Sequence, residues 1–479
     1  MRPVLSAREA LALDVAAQKH VPIGTLIQRA GVAVEMAVVD MLRRPGRPGS
    51  VYGKRGVVVA GKGHNGDDGR VAAYRLRRRG MRVAVVDAAR APDELPGADV
   101  VIDAAYGTGF RGTYVAPKPP PGAIVVAVDV PSGLNADTGE RSGAPMTADR
   151  TVAFIALKPG LLLGDGPGLA GTVTVADIGI DPKGSQTNLV EDADVGAELP
   201  RRDRDTHKWR SGVAVVAGSP GMMGSAVLCS QAAARSGAGM VRLGVPGCAP
   251  AGLPVSEAVS TSLALRDWSD DALAMAGRCR AIVVGPGLGR DGAAGDSVRR
   301  LVAASPVPIV VDGDGLWALG EGQDAARACS LSRSTPVLTP HDGEAARLAG
   351  SGPGADRIGY ARDLASSCGA VVLLKGPCTV VAEPSGQVRL VTSGSSRLAT
   401  AGSGDVLSGL IGAFIARGLE PFHAASLGAH VHGRAASLGL REGLVAGDLA
   451  ELAARWLSGL DSTTRGLHEQ HARGRETHL

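Results

Sequence analysis

Short apolar runs recur along the chain and are separated by polar or glycine-rich segments. In the first 190 residues, such runs occupy 56–60, 82–87, 100–103, 124–129 and 151–155. Continuous apolar runs of this length are typical of strands that are buried on both faces of a parallel sheet. Apolar positions at helical spacing over 6–42 predict a helical segment in front of them. The pattern therefore predicts a Rossmann-like, doubly wound α/β domain over 1–190.

A second set of apolar runs begins after residue 206. These runs lie at 213–217, 240–245, 281–284, 309–312, 336–338 and 371–375, and a hairpin-like pair follows near Val380 and Val388. They predict a larger α/β domain over 207–460. The polar stretch 191–206 is predicted to be a linker, and the charged segment 461–479 is predicted to be a disordered tail.

Composition and charge exclude several classes of function. The chain of 479 residues is 44% hydrophobic and 20% charged, which is typical of folded domains rather than of disordered chains. Its net charge is only +4, and the sequence lacks the strong basic clustering that is typical of nucleic-acid-binding proteins. The six cysteines form no CxxC pair and show no metal-ligand spacing, which favours a reducing compartment. The sequence predicts neither a signal peptide nor a membrane span, so we expect a cytoplasmic protein.

The first predicted strand runs into a glycine-rich loop at 61–69. This loop contains the G-x-G-x-x-G pattern of dinucleotide sites, and Asp87 ends the next strand at about the 20-residue spacing of that fingerprint. However, Asp67 and Asp68 stand at the start of the following helix, where they would repel a pyrophosphate. The loop therefore suits a cation or hydroxyl groups as well as a phosphate.

Two further strands of the N-terminal half end in polar clusters. Segment 103–110 begins with Asp103, and segment 129–135 begins with Asp129. Because ligands of open α/β sheets bind at the carboxyl ends of the strands, we expect these clusters and the glycine-rich loop to meet in one crevice. Each aspartate, taken alone, is equally compatible with a cap for the turn that follows it.

The C-terminal half contains a turn, 402–405, that leads from a loop into a predicted helix. Its glycines let the backbone approach a ligand, the free N–H groups of a helix start bind anions, and Asp405 can accept a proton. Small or polar residues also end four strands of this half, at 218–219, 285–289, 339–344 and 375–379. Together they predict a crevice for a nucleotide and a substrate. Asp312 and Asp314 are expected near a magnesium ion, or alternatively as helix caps.

The N-terminal motifs resemble those of the NAD(P)HX epimerase family. The family patterns G-x-G-N-N-G-G-D-G, D-x-x-x-G-T-G, D-x-P-S-G and T-F-x-x-x-K-x-G-L correspond to 61–69, 103–109, 129–133 and 151–161, the last with one extra residue before the aromatic. The resemblance implies a potassium ion held by Asn65, Asp103 and Ser132. It also implies that the substrate is contacted by Asp129 and by Gly107, Thr108, Gly109, Phe110, Arg111, Gly112 and Thr113.

The second half, over 207–458, resembles the ADP/ATP-dependent NAD(P)HX dehydratases of the ribokinase-like superfamily. Motifs of the type G-P-G-x-G, D-A-D-x-L, L-T-P-H-x-G-E, K-G-x-x-T and A-G-x-G-D occur in the family order, with Asp-Gly-Asp-Gly-Leu in second place. The resemblance implies Mg²⁺, ADP as co-substrate, and nucleotide contacts from Lys375, Gly376, Pro377, Cys378, Thr379 and Gly404. It implies that the hydrate is contacted by Ser225, Gly287, His341 and Asp405.

These resemblances imply an enzyme that repairs hydrated NADH and NADPH. We expect it to epimerise the R and S hydrates and to dehydrate the S hydrate at the expense of ADP, giving AMP and phosphate. Asp405 is the expected base in phosphoryl transfer, and Asp129 and Lys158 are expected to move protons during epimerisation. The expected partners are these small molecules, without nucleic acid or membrane, and the chain is expected to form a homo-oligomer.

Two alternatives remain open from the sequence. The first is a small-molecule kinase of the hydroxymethylpyrimidine or thiazole type, which shares the Gly-Ser-Gly-Asp turn, with an N-terminal nucleotide-binding module. The second is an N-terminal domain that binds nucleotides without catalysis, because His64 and Asp67 replace an Asn and a Gly of the epimerase loop.

Overall fold

The computed structural model describes residues 1–43, 51–254, 256–290 and 292–473. The chain divides into two compact units, Arg2–Thr187 and the residues from Asn188 onward, the latter together with Met1. Both units combine helices with parallel sheets, which confirms the predicted α/β class. Within the described ranges, no helix has both the length and the apolar composition needed to cross a membrane.

Short strands alternate with helices and loops through the smaller unit. Its strands are β1 (Arg2–Val4), β2 (Arg55–Ala60), β3 (Arg82–Asp87), β4 (Val100–Ala104), β5 (Tyr114–Val115), β6 (Ile124–Val128), β7 (Gly143–Ala144), β8 (Arg150–Phe154) and β9 (Thr172–Ala176). Its α-helices are α1 (Ala7–Ala17), α2 (Ile23–Leu42), α3 (His64–Arg78) and α4 (Gly166–Ala170).

A parallel sheet in the order β3-β2-β4-β6-β8-β9 forms the centre of the smaller unit. The chain extends from β2 to β3 on one side and from β4 onward on the other, so the strand order reverses between β2 and β4. Val59 of β2 pairs with Asp103 of β4, which places the loops after these two strands side by side. This reversal is where open α/β sheets bind ligands.

Both faces of this sheet are buried, which explains its continuous apolar strands. Val58 packs with α2 and α3 on one face. Val57 and Val59 pack on the other face with Leu95 and Tyr114, which lie outside the helices. Successive strand residues point to opposite faces, so a strand that is covered on both sides needs apolar residues at every position.

The larger unit contains a longer series of strands and helices. Its strands are β10 (Thr187–Leu189), β11 (Gly212–Val216), β12 (Met240–Pro246), β13 (Val259–Leu263), β14 (Ala281–Val284), β15 (Ile309–Val311), β16 (Val337–Leu338), β17 (Val371–Leu374), β18 (Thr379–Ala382) and β19 (Val388–Val391). Its first helices are α5 (Asp192–Glu198), α6 (Met223–Arg235), α7 (Ser269–Ala276), α8 (Gly292–Ala304), α9 (Asp314–Leu319) and α10 (Gln323–Ser330). The later helices are α11 (Asp342–Ala349), α12 (Arg357–Cys368), α13 (Ser403–Ala416), α14 (Pro421–Leu438) and α15 (Ala446–Arg473).

The strands of the larger unit follow the order β10-β19-β18-β17-β16-β15-β14-β11-β12-β13. The strands from β11 to β17 are parallel, and β17, β18 and β19 form an antiparallel meander that contains the predicted hairpin. Asp312, Thr339 and Lys375 directly follow the neighbouring strands β15, β16 and β17. The sheet therefore brings these three residues to one edge.

The structure differs from the sequence prediction at the linker and at the tail. Helix α5 lies inside the stretch that was predicted to be a linker. Asp192 of α5 accepts hydrogen bonds from Arg434 (2.6 Å) and lies 2.7 Å from Nε2 of His430. Glu198 accepts two hydrogen bonds, at 2.9 and 3.1 Å, from Arg389, which is only 3% exposed. The polar composition of this segment thus reflects ion pairs inside the larger unit rather than a free linker.

The C-terminal helix α15 continues to Arg473, past the point at which the disordered tail was expected to begin. The remainder of that predicted tail, 474–479, lies outside the described residues.

The α5 ion pairs predict where the larger unit can be cut. A fragment over 188–479 should unfold at a higher urea concentration than one over 201–479, because the shorter fragment leaves Arg389 buried without its carboxylate partner. Loss of one partner of a buried pair costs about 3–5 kcal/mol. Glu198→Ala in the longer fragment should reproduce most of this difference. Equal unfolding midpoints for the two fragments would contradict the role given to α5.

Candidate active sites

A cavity of about 990 Å³ opens at the carboxyl edge of the smaller unit's sheet. Its walls come from the glycine-rich loop, from the segments after β4, β6 and β8, and from helices α1 and α2. Of the predicted substrate contacts, those that line the cavity are Gly107, Thr108, Gly109, Phe110, Arg111 and Asp129. Gly112 and Thr113 are not among the lining residues. The three strand ends singled out in the sequence therefore meet in one crevice.

The proposed cation ligands form a chain of contacts next to this cavity. Asp103 is fully buried, and its Oδ2 accepts a hydrogen bond from the Ser132 backbone N–H at 2.8 Å. Ser132 Oγ in turn donates to the Tyr106 carbonyl (3.0 Å) and accepts from the Tyr106 N–H (2.9 Å). Asn65 lies beside the next residue, since a Cβ placed on Gly107 would be 3.1 Å from its Oδ1.

This donor set suits a hard cation of low charge. Its donors are oxygens, one of them a carboxylate, and no described group of three or more His, Cys, Asp or Glu side chains is arranged to hold a metal ion. Burial raises the pKa of Asp103, against the hydrogen bonds from Ser132. A bound cation would stabilise the ionised Asp103 carboxylate and so offset the cost of burying its charge. Asn65 Nδ2 is buried and has no hydrogen-bond partner in the described part of the chain.

Asp129 and Lys158 form a buried ion pair at the floor of the cavity. Lys158 Nζ donates to Asp129 Oδ1 and, at 2.8 Å, to the Phe154 carbonyl. Thr108 donates to the other carboxylate oxygen through both its backbone N–H and its hydroxyl. Burial opposes ionisation of Asp129, but the Lys158 ammonium and these hydrogen bonds hold its pKa below the usual value. Asp129 is therefore ionised, and it occupies an unusual left-handed backbone conformation with φ of 65°.

Asp68 lines the same cavity, but its pKa is shifted in the direction opposite to that of Asp129. It is 7% exposed, and no hydrogen bond or ion pair of its side chain is found among the described residues. Burial first, and then the negative charges of Asp129, Asp67 and Asp14, raise the pKa of Asp68 to about 8. At neutral pH the cavity thus holds a protonated Asp68 and an ionised Asp129. Two carboxyl groups with opposite protonation are the arrangement that acid–base catalysis uses.

Sequence reasoning missed this role for Asp68, because it treated Asp67 and Asp68 as equivalent. Asp67 is 43% exposed at its side chain and pairs with Arg70 at 3.0 Å, one helical turn away. Arg70 also donates to the Gly61 carbonyl at 2.8 Å. The charge that Asp67 adds to the loop is therefore paired with Arg70, although it still contributes to the raised pKa of Asp68. The usable signal was Arg70, the basic residue at i+3 from Asp67.

The second site lies at the start of α13 in the larger unit. Lys375 Nζ donates to Asp312 Oδ1 at 2.6 Å. Asp312 is buried and also accepts from Thr339 Oγ1 (2.7 Å) and Ser408 Oγ (2.8 Å). A Cβ on Gly404 would lie 3.4 Å from Lys375 Nζ, so the ammonium sits at the first turn of the helix. A cation and free helix N–H groups at one point form an anion site.

Asp405 faces this anion site together with two predicted substrate residues. Its carboxyl group is hydrogen-bonded to Ser225, and a Cβ on Gly287 would lie 2.9 Å from Ser225 Oγ. Burial first, and then the charge of Asp312, raise the pKa of Asp405 to about 6, although Ser225 and Lys375 act in the other direction. At neutral pH Asp405 is ionised and is a stronger base than an exposed aspartate. The structure therefore brings Ser225, Gly287 and Asp405 together.

His341 lies at the edge of the second site with its side chain 61% exposed. It is the N-cap of α11, and its Nδ1 accepts hydrogen bonds from the Gly343 and Glu344 N–H groups at 3.1 and 3.3 Å. Glu344 returns a bond by accepting from the His341 N–H at 2.9 Å. This capping box fixes the ring. The histidine is thus both a helix cap and an accessible polar group.

The remaining predicted residues of this half differ in their exposure and in their contacts. Cys378 is buried, and burial raises the pKa of its thiol to about 12, so its side chain is part of the core rather than of a ligand site. Gly376 and Pro377 are exposed between β17 and β18, where only their backbone and ring are presented. Asp314 accepts from the Gly289 N–H (2.9 Å) and from Arg290 (3.0 Å), so it connects α9 to the loop after β14.

Comparison with known proteins identifies relatives of both halves. The family model described as NAD(P)H-hydrate dehydratase matches residues 213–457, and the model described as YjeF-related protein N-terminus matches 24–96 and 87–160. A bifunctional NAD(P)H-hydrate repair enzyme of Moorella thermoacetica is 35% identical over 507 residues, covering 92% of this chain and 93% of that protein. A protein of the same name from Mycobacterium leprae is 37% identical over 468 residues, covering 91% and 94%.

A solved structure is also similar to part of this chain. It is an ADP/ATP-dependent NAD(P)H-hydrate dehydratase from Bacillus subtilis, co-crystallised with ATP and Mg²⁺. The two chains are 27% identical with a TM-score of 0.48, and the match covers 57% of this chain and 98% of that one.

The environment of Asp68 predicts a pH-dependent effect on stability. Its pKa rises from 3.8 to about 8 in the folded chain, so unfolding releases a proton over this range and stability falls as pH rises through it. Asp68→Asn should therefore stabilise the smaller unit, by about 1–3 kcal/mol at pH 8 and by less at pH 5. Urea unfolding at the two pH values measures this. Asp67→Asn, which changes the exposed and paired neighbour, is the control and should stabilise much less, because the Asp67 charge contributes to the raised pKa of Asp68 only after burial and Asp129. Equal effects of the two variants would contradict the assignment.

Proposed function

The chain belongs to the family of bifunctional NAD(P)H-hydrate repair enzymes, and from this premise we propose how its residues perform the two reactions. It combines a hydrate epimerase with a nucleotide-dependent hydrate dehydratase. The resemblance read from the sequence is thereby confirmed, and the kinase alternative is wrong. We assign epimerisation of the R and S hydrates to the smaller unit's cavity. Dehydration of the S hydrate at the expense of ADP is assigned to the site at α13.

The observation that carries the dehydratase assignment is the placement of Asp405 beside the Lys375 ammonium and the start of α13. The hydroxyl oxygen of the hydrate attacks the terminal phosphorus of ADP, the P–O bond to AMP breaks, and Asp405 takes the hydroxyl proton. The lone pair of the ring nitrogen then expels phosphate, and loss of a proton from the adjacent carbon restores the reduced ring. Phosphoryl transfer has a loose transition state, so positioning and charge neutralisation are the main contributions of the protein.

A magnesium ion fits this site. Asp312, Glu344 and Asp405 surround one ammonium group, and the charge of Asp312 contributes to the raised pKa values of Glu344 and Asp405. The cluster therefore carries more negative than positive charge. Glu344 is the carboxylate that would hold the ion, because Asp312 is occupied by Lys375, Thr339 and Ser408 and Asp405 is assigned as the base. Bound Mg²⁺ would neutralise phosphate oxygens of the nucleotide.

In the epimerase site we assign the proton to Asp68 and the fixed charges to Asp129 and Lys158. Protonated Asp68 donates to the ring hydroxyl, which leaves as water while the nitrogen lone pair forms a carbon–nitrogen double bond. Water then adds to the other face of the carbon and returns its proton to Asp68. Asp129, held by Lys158 and Thr108, stabilises the cationic ring between the two steps. Asp129 and Lys158 thus remain predicted catalytic residues.

Potassium is the cation that we propose for Asn65, Asp103 and Ser132. The single carboxylate among these oxygen donors favours a monovalent ion over a divalent one. When bound, the ion would fix the turn that carries Tyr106 and Gly107 at the cavity wall. Epimerase assays in potassium and in tetramethylammonium salts test this proposal, and equal rates would contradict it.

The dehydratase assignment predicts how replacing the Asp405 carboxylate by an amide affects the dehydration rate. Asp405→Asn keeps the shape of the side chain but cannot accept a proton, so it should lower the dehydration rate by at least about 100-fold. ADP binding, measured by calorimetry, should change by less than about threefold, because the amide leaves Lys375 and the helix N–H groups in place. The wild-type rate should fall as pH drops below about 6, where Asp405 gains a proton. A variant that keeps more than about a tenth of the wild-type rate would exclude Asp405 as the base.

A further inference from the structure

Arg357 connects two loops of the dehydratase site. It is the first residue of α12, and its side chain is 17% exposed. Its two terminal nitrogens donate to the two oxygens of Asp342, at 3.0 and 2.8 Å. One of them also donates to the Lys375 carbonyl at 2.9 Å. Asp342 is the first residue of α11, which follows the loop after β16, and Lys375 begins the loop after β17, so one guanidinium group is bonded to both segments.

The two loops have different assigned ligands. Asp342 directly follows His341, which is assigned to the hydrate, and it begins the helix that the His341 capping box fixes. Lys375 begins the nucleotide loop 375–379. A backbone hydrogen bond from the Lys375 N–H to the Pro340 carbonyl (2.9 Å) already joins the loops at one point. The Arg357 contacts add a second point, further from the strands, and so limit the rotation of one loop relative to the other.

The shape of this contact requires arginine. A planar guanidinium can hold a carboxylate with two nitrogens and still direct an N–H at a carbonyl, whereas a lysine ammonium has a single nitrogen. The neighbouring glycine agrees with this geometry, because a Cβ on Gly376 would lie 2.9 Å from the Arg357 nitrogen that bridges the loops. The nucleotide loop is therefore shaped around the arginine.

From these contacts we propose that Arg357 is a positioning residue that couples nucleotide binding to hydrate binding in the dehydratase site. It acts through Asp342 and Lys375, both of which accept hydrogen bonds from its terminal nitrogens. A nucleotide that orders the loop 375–379 orders the His341 turn through the same guanidinium. The proposal rests on the proposed function of this site, and it adds that the two substrates bind cooperatively.

Steady-state kinetics of the full chain test the coupling. In the wild type, the KM for the S hydrate should fall at least about threefold between low and saturating ADP. In Arg357→Lys this dependence should disappear, and kcat/KM should fall about tenfold. Arg362→Lys is the matched control, because Arg362 lies on the same helix and its Nε bonds to the Gly386 carbonyl, away from both loops. The control should behave as the wild type, and the epimerase rate should be unchanged in both variants.

Asp342→Asn provides a second variant in case Arg357→Lys does not fold. It leaves the bond to Lys375 in place and should weaken the ADP dependence of the hydrate KM. The double variant should be no worse than Arg357→Lys alone, because both changes break one connection. A wild-type hydrate KM that is independent of ADP would overturn the proposal, as would full ADP dependence in Arg357→Lys or additive losses in the double variant. Absence of any ADP-dependent dehydration in the wild type would instead reject the proposed function itself.

Discussion

The ion pair between the buried Asp312 and the partly buried Lys375 is the interaction on which the dehydratase site depends. Asp312 accepts hydrogen bonds from the ends of two neighbouring strands, through Thr339 and Lys375, and from α13 through Ser408. It therefore fixes three elements and aims the ammonium at the first turn of the helix. Removing one partner of such a pair leaves an uncompensated buried charge, which costs about 3–5 kcal/mol. The anion site exists because this pair is complete.

The smaller unit contains two buried aspartates, Asp129 and Asp68, that differ in protonation state. Asp129 is surrounded by hydrogen-bond donors and is ionised, whereas Asp68 is buried without a donor among the described residues and keeps its proton at neutral pH. A buried carboxyl group without partners destabilises the fold. We interpret its presence as a functional requirement, because the hydroxyl group of a hydrate needs a proton donor that is still protonated at neutral pH.

The structural features that depend on residues close together in the chain, such as strands and motif loops, were predictable from the sequence. The apolar runs predicted most of the central strands, and the motifs placed Asp103, Asp129 and Asp405 at strand ends or helix starts, where the structure has them. Strands such as β13, Val-Ser-Thr-Ser-Leu, were missed because their positions are only partly buried and carry polar residues.

The features that were missed depend on partners far away in the chain. Helix α5 has the composition of a linker, and Arg389 and Arg434, about two hundred residues later, pair with its carboxylates. Likewise, the roles of Asp68 and Arg357 follow from the absence or presence of a partner in space, which no local pattern records. Composition alone cannot distinguish a paired charge from a solvated one.

The central claim is that two separate sites divide the two reactions, with Asp68 essential to one of them. The most direct measurement supplies the full-length Asp68→Asn variant with ADP and either the pure S or the pure R hydrate, and follows the return of the reduced-ring absorbance. The account predicts that the S hydrate is restored at the wild-type rate, while the R hydrate is restored only as fast as it converts spontaneously to S. Restoration of the R hydrate at the wild-type rate would contradict the account.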